Sequence, residues 1–330
     1  MKGKRRGMEG LFGADGGCFA GVAKQLLDAK RVAVVAHVKP DADAVGSACG
    51  LAAGLRSLGI ETSVHIGQTY PHPANLATVP GVDEITYGSA LPADGLIVTV
   101  DCASLDRTGL LQEQIAAERE RVIVIDHHET NPGFGATNLI VEAESTTTIV
   151  RELFNHLGVE MDEAMAYCLY AGLVTDTGNF RWGSPRMHTL AAELLTYGLD
   201  PRQIALDLMD SMSAIDLQIM GSVLAGLQEF REKGLTVSVI TVPAEALARM
   251  SQTTVEAIID YARALQGSDV GVVFKQQAPR YWAVSLRSTV IDVSLVAAAL
   301  GGGGHVPAAG YSAYGSEDAV IRELLAALPG

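Results

Sequence analysis

The sequence predicts an α/β protein: a parallel-sheet domain followed by a smaller α/β domain, with a helical linker between them. Three observations carry this. Short apolar runs alternate with helical stretches through residues 31–157, and buried apolar strands alternating with helices indicate a parallel sheet. Residues 160–230 read as mostly helical. Strand-like runs then return from 235 and alternate with helices to the end.

In chain order, "RVAVVAH" (31–37) is an apolar strand running into a polar cluster. "AVGSACGLAAGLRSLG" (44–59) places small and apolar residues at helical spacing, and Gly59 ends it. "ETSVHIG", "DGLIVTVD" (94–101), "RVIVID" (121–126) and "NLIVE" (138–142) are strands, with helices over 108–119 and 145–157. Four helical segments follow: "DEAMAYCLYAGLVTD", "HTLAAELLTYG", "PRQIALDLM" and "AIDLQIMGSVLAGLQEF". The later strands are "LTVSVITV" (235–242), "DVGVVFKQ" (269–276) and "YWAVSLRS" (281–288), interleaved with helices at 254–266 and 292–300. The expected division is a disordered tail over 1–20, a first domain over 21–205, a linker over 206–230 and a second domain over 231–330.

The 330 residues suffice for two domains of ordinary size. A net charge of −14 disfavours long duplex nucleic acid, which needs clustered Lys and Arg, but leaves room for a small anion held locally. The four cysteines are scattered and form no C-x-x-C, as expected for reduced thiols in the cytoplasm. No apolar run reaches the roughly 18 residues of a membrane span.

Chemistry gathers at the strand ends. "AHVKPDADAVG" supplies His37, Asp41 and Asp43; "VTVDCAS" supplies Asp101; "VIDHHET" supplies Asp126, His127 and His128; "AGLVTDTGNFRW" supplies Asp176. Ligands of open α/β sheets bind outside the carboxyl ends of the strands, so these segments are expected to converge. Carboxylate and imidazole without thiolate suit Mn²⁺ or Mg²⁺, with Zn²⁺ or Fe²⁺ as further options. Asp101, alone on its strand end, could bridge two ions, and two ions about 3.5–4 Å apart can activate water and stabilise in-line displacement at phosphorus. A lone Asp at a strand end is usually a cap or turn residue; four such segments by accident are far less expected. "DADAVG" is not an EF-hand, since Val45 and Ala52 fall where the loop needs ligands. His65, His72, His156 and His188 read as structural or solvated, and Phe180 and Trp182 as packing.

"GGGGHVPAAGYSAYG" (301–315) is read as a glycine-rich turn whose backbone N–H groups could cradle an anion beside His305. It is neither a Walker A loop nor a dinucleotide fingerprint. Arg287 stands at the end of the preceding strand and suits bidentate phosphate contact, or is an ordinary surface charge.

"HVKPDAD", "VTVDCAS", "IDHHET" and "VTDTGNF" resemble the four motifs of the DHH phosphoesterase superfamily, named after the third. "SLRS" followed by "GGGGH" resembles its companion C-terminal domain, DHHA1. Length and layout are similar to the nanoRNase/pAp phosphatase (bifunctional oligoribonuclease) branch, over nearly the whole chain after about residue 20. The resemblance implies an active-site cleft between two lobes and two divalent cations, commonly Mn²⁺. His37, Asp41 and Asp101 would hold one ion, and Asp43, Asp101, His127 and Asp176 the other. His128 would face the substrate, with Asp126 orienting the neighbouring imidazole. Arg287, Gly303, Gly304 and His305 would hold the nucleotide.

The activity so implied is hydrolysis of very short oligonucleotides to nucleoside monophosphates, and dephosphorylation of 3′-phosphoadenosine 5′-phosphate (pAp). Relatives offer other readings: a cyclic or linear dinucleotide phosphodiesterase, a RecJ-type single-strand exonuclease, or a family II pyrophosphatase, whose second domain lacks "GGGGH". A nucleotide sensor without catalysis is a further class, disfavoured by the intact acidic set. A homodimer is left open.

Overall fold

The computed structural model describes residues 11–12, 16–210 and 212–329. The chain divides into two compact units, the first ending at Asp210.

The first unit begins with α1 (Gly16–Asp28), β1 (Arg31–Ala36), α2 (Ala42–Ser57), β2 (Glu61–Ile66), β3 (Thr86–Tyr87) and β4 (Leu96–Val100). It continues with α3 (Gln112–Ala117), β5 (Val122–Asp126), β6 (Thr137–Ile140), α4 (Thr146–Leu157), α5 (Glu163–Asp176), α6 (Arg186–Leu195) and α7 (Pro201–Leu208). All six strands are parallel, in the order β3-β2-β1-β4-β5-β6. The order reverses between β1 and β4, which leaves a crevice at their carboxyl ends.

Both sheet faces are covered, which is why its strands are continuously apolar. Along β1, Val32, Val34 and Ala36 enter the core shared with α2, α4 and α5, while Ala33 and Val35 enter a smaller core with Ile115 of α3. Helix α5 is apolar on nearly all sides and buried along most of its length, so it acts as a core element. It packs on α2, and Gly172 permits the approach: a Cβ there would lie 2.4 Å from Asp43 Oδ1 and 2.5 Å from Thr147 Cγ2.

The second unit comprises α8 (Ala214–Leu224), β7 (Gln228–Glu232), β8 (Leu235–Val242), α9 (Ala244–Leu247), α10 (Gln252–Ala264), β9 (Val270–Ala278) and β10 (Tyr281–Ser288). It ends with α11 (Val293–Ala299), β11 (Gly303–His305), β12 (Ala308–Tyr314) and α12 (Glu317–Ala327). Its sheet is mixed, in the order β11-β12-β10-β9-β8-β7, with β8 and β9 parallel and the other pairs antiparallel. One face packs on α11 and α12, the other on α8 and α10.

Several expectations need correction. The disordered tail expected over 1–20 overlaps α1, where Phe19 is fully buried, and Leu11 N–H donates to Glu152 Oε2 at 2.8 Å. The remainder of that expectation, residues 1–10 and 13–15, lies outside the described residues. The helix expected through Phe230 stops at Leu224, and Gln228–Glu232 instead pairs antiparallel with β8 as a strand. The polar alternation of "QEFRE" fits an edge strand, and it was masked by the longer apolar run before it. The glycine-rich segment is not an open turn but a hairpin, β11 pairing with β12 across Val306 and Pro307. Gly304 adopts φ 141° there, and a Cβ would meet Ala308 O at 2.6 Å, so glycine serves close strand packing. No helix among the described residues is long and apolar enough to cross a membrane.

Candidate metal centre

Three neighbouring strands deliver the centre of the site. β1 runs into His37, β4 into Asp101, and β5 ends at Asp126, followed by His127 and His128. Asp101 itself is left-handed (φ 57°), a conformation that Asp tolerates better than most residues and that turns its side chain off the strand direction.

Two helices supply the rest. Asp41 caps α2, accepting from the Asp43 and Ala44 N–H groups at 3.1 and 3.0 Å. Asp43, in the first turn of α2, is gripped by the start of α4: Thr146 N–H donates to its Oδ2 at 2.7 Å and Thr147 N–H to its Oδ1 at 3.0 Å. Backbone donors at a helix N-terminus suit a carboxylate. Asp176 is the last residue of α5, and Trp182 Nε1–H donates to its carbonyl at 2.7 Å.

The side chains form two clusters around Asp101. His37 Nε2 lies 3.5 Å from Asp41 Oδ2 and 3.5 Å from Asp101 Oδ2. His127 Nε2 lies 3.5 Å from Asp101 Oδ1, 3.2 Å from Asp176 Oδ2 and 4.0 Å from Asp43 Oδ2. The potential ligand atoms of His37, Asp41 and Asp101 all lie within 4.8 Å of one another, as do those of Asp43, His127 and Asp176. His127 Nδ1 faces Ala143 O at 3.2 Å, which directs Nε2 to the carboxylates.

Asp126 is fully buried and organises the segment that follows it. Its Oδ1 accepts from His127 N–H at 2.9 Å and from His128 Nδ1 at 2.8 Å, and its Oδ2 from Asn131 Nδ2 at 2.6 Å. It therefore fixes the His128 ring while only the backbone of His127 leans on it.

The electrostatics are those of a cluster that favours positive charge. Burial and the Arg107 cation oppose protonation of His37, yet Asp41 and Asp101 outweigh them and carry it up to about 10. Burial likewise opposes a charge on His127, and Asp176 with Asp101 drives it well above its ordinary range. Burial and the Asp101 charge push Asp43 up to about 7, and burial pushes Asp176 well up. Burial would raise Asp101 too, but the two histidines hold it well below the usual carboxylate range. Divalent cations would replace those protons. The donor set fits them: all imidazole and carboxylate, with one carboxylate facing both clusters.

In the second unit, Arg287 of β10 and His305 of β11 are both paired with Ala308 of β12. They therefore share a row across three strands and the same face of the sheet, with Gly303 and Gly304 preceding on β11. The remaining histidines fall into local packing: His65 Nε2 bonds Ser63 Oγ at 2.8 Å, His72 Nδ1 bonds Tyr87 Oη at 2.6 Å, and His156 pairs with Glu152 at 3.5 Å. Phe180 packs near Tyr170 and His188.

Sequence reasoning missed four residues that touch the centre. Thr146 and Thr147 hold Asp43, and Thr146 Oγ1–H also donates to Asp101 Oδ1 at 3.1 Å. The run "ESTTT" opening an apolar helix was a readable signal of a capped helix N-terminus. Asn131 and Arg107 carried no such signal, because only folding brings them to Asp126 and His37.

Residues 31–173 match the DHH family, N-terminal domain, and residues 235–328 match the DHHA1 domain. The chain is 34% identical over 283 residues to the bifunctional oligoribonuclease and PAP phosphatase NrnA of Thermus thermophilus, covering 84% of this chain and 82% of that one.

The chain belongs to the DHH family.

A second DHH relative, the protein of the same name from Bacillus subtilis, is 26% identical over 86% of this chain and 89% of its own. Among solved structures, an exopolyphosphatase-related protein from Bacteroides fragilis shares the DHH–DHHA1 fold, with a TM-score of 0.80 and 24% identity over 94% of this chain and 95% of that one. The family match places the DHH domain on the unit carrying the acidic and histidine clusters, and DHHA1 on the unit carrying Arg287 and His305.

Proposed function

We propose that this protein is a metal-dependent phosphohydrolase that degrades very short oligonucleotides to nucleoside monophosphates and dephosphorylates pAp. The observation that carries the reading is Asp101, whose two oxygens face two separate histidine–carboxylate clusters. That division supports two cations sharing one carboxylate, with His37 and Asp41 on one side and Asp43, His127 and Asp176 on the other. Mn²⁺ is the ion we favour, with Mg²⁺ second. Cations held there would activate water and offset charge developing on the phosphoryl oxygens. The names of the Thermus and Bacillus relatives support the substrate class.

The chain's own groups have distinct tasks in this reading. His128, oriented through Nδ1 by Asp126, presents Nε2 to the substrate and donates a proton to the leaving oxygen. Asp126 accepts from Nδ1–H and so orients the charged imidazolium, whose Nε2–H is the proton given. Thr146 and Thr147 hold Asp43 and Asp101 in place, so the carboxylates need not reorganise as charge develops. Arg287 and His305, with the Gly303–Gly304 backbone, grip the nucleotide or its terminal phosphate.

The test is a substrate panel with Mn²⁺: dinucleotides to 24-mers, pAp, cyclic dinucleotides and pyrophosphate. Preferential turnover of two- to about five-residue RNA and of pAp is expected. Turnover of pyrophosphate or cyclic dinucleotides alone would replace this reading with another.

A further inference from the structure

Arg107 stands beside the metal centre without a carboxylate. It lies in the turn Leu105–Leu111 between β4 and α3, half-buried, and Val38 N–H donates to its carbonyl at 2.9 Å, tying its backbone to the residue after His37. Its guanidinium Nη2 lies 3.1 Å from His37 Nδ1. Among the described residues it forms no ion pair, although Asp41 and Asp101 both lie against the same imidazole. Its fork of N–H donors suits the oxygens of an anion better than a ring nitrogen.

The contact with His37 does not supply that partner. His37 Nδ1 also faces Val38 O at 2.9 Å. An imidazole that offers the lone pair of Nε2 to a cation carries its proton on Nδ1. That proton goes to Val38 O, and Nδ1 then has nothing to accept from Arg107. The guanidinium is left next to the cations' ligands, with its donors unspent and its backbone anchored. A phosphate oxygen would satisfy it, and the planar fork suits two oxygens of one phosphate.

We propose that Arg107 binds a non-bridging oxygen of the substrate phosphate held at this centre. This rests on the phosphohydrolase reading for its ligand class and adds a contact to it. Arg107 is a binding residue here; the phosphorus–oxygen bond is broken by the groups already assigned.

The test uses the full chain and two titrations by calorimetry: Mn²⁺ into metal-free protein, then inorganic phosphate into Mn²⁺-loaded protein. Arg107→Met is expected to leave Mn²⁺ affinity within about twofold and to weaken phosphate by about tenfold or more, the cost of one charged hydrogen-bonded contact. Arg107→Lys should fall between, because it keeps the charge and loses the fork; it also carries the test should the Met variant fail to fold. KM for a dinucleotide should rise in the same order. Unchanged phosphate affinity in both variants overturns the proposal. So does a tenfold loss of Mn²⁺ affinity with phosphate binding to loaded protein intact, which would make Arg107 a positioning residue for His37. If the wild type binds phosphate in the presence of Mn²⁺ yet hydrolyses nothing in the substrate panel, the hydrolase reading fails while the Arg107 contact is still judged by the same titrations.

Discussion

Asp101 turns its two carboxylate oxygens to different histidines: Oδ2 lies 3.5 Å from His37 Nε2, and Oδ1 lies 3.5 Å from His127 Nε2. Among the described residues, the two clusters that these oxygens face share no other carboxylate. Asp101→Ala should therefore abolish turnover and cost binding of both ions together. Asp101→Asn tolerates the same left-handed backbone and keeps the volume, so it separates loss of charge from loss of fold. Calorimetric Mn²⁺ stoichiometry checks this; near-normal turnover with two ions still bound would remove Asp101 from its bridging place.

His127 and His128 should fail differently. His127 Nε2 points at three carboxylates, whereas His128 Nδ1 is held by Asp126. His127→Ala should weaken metal binding, and His128→Ala should lower kcat by about a hundredfold or more with metal retained, as for loss of a general acid. Mn²⁺ titration of both variants decides it, and the opposite pattern would exchange the two roles.

Gly172→Ala is expected to disturb the centre without touching a ligand. The added methyl would lie 2.4 Å from Asp43 Oδ1 and 2.7 Å from Thr147 Oγ1, so α5 must shift or Asp43 must leave the α4 N-terminus. Overpacking of this kind costs about 1–3 kcal/mol. A lowered Tm together with weaker Mn²⁺ binding should follow. A variant with wild-type Tm and affinity would mean that the α2–α5 contact yields more easily than it is built to.

Metal-free protein should lose stability as pH rises. His37 is raised to about 10 from an unfolded value of 6.5, so the native state holds its proton longer, and that stabilisation is present below 6.5 and is lost towards 10. Asp43, raised to about 7 from 3.8, acts in the same direction between those values, because the folded chain binds the extra proton. Chelated protein should therefore show a falling Tm from pH 7 to pH 9. The rise in Tm on adding Mn²⁺ should grow over the same interval, since binding displaces protons. Thermal melts with EDTA and with Mn²⁺ at each pH test both signs.

Arg287→Ala should raise KM for short substrates while leaving Mn²⁺ bound, since Arg287 belongs to the DHHA1 unit and the metal ligands to the DHH unit. Its row with His305 predicts that His305→Ala raises KM similarly. For the wild type, kcat/KM should be highest for two to about five nucleotides, as a chain of net charge −14 offers little attraction to a long polymer. Equal efficiency on a 24-mer and a dinucleotide, or an unchanged KM in either variant, would count against these assignments.

The sequence by itself determined much of this protein. Short, β-branched apolar runs such as "VIVID" read as strands buried on both faces, and each ends where its polarity changes, so His37, Asp101 and Asp126–His128 were legible as strand-end chemistry. Helices α2, α4 and α5 were legible as helical stretches of the sequence. The structure alone decided how those segments meet. The β1–β4 switch sets His37 beside Asp101, and the α4 N-terminus reaches Asp43 across more than a hundred residues of chain. It also showed "QEFRE" and the glycine-rich run to be strands, each paired with the strand that follows it, β8 and β12, across a two-residue turn. Local propensity acts over a turn or a strand, whereas pairing register, the meeting of Arg107 with His37, and the division of Asp101 between two clusters are set by contacts distant in sequence.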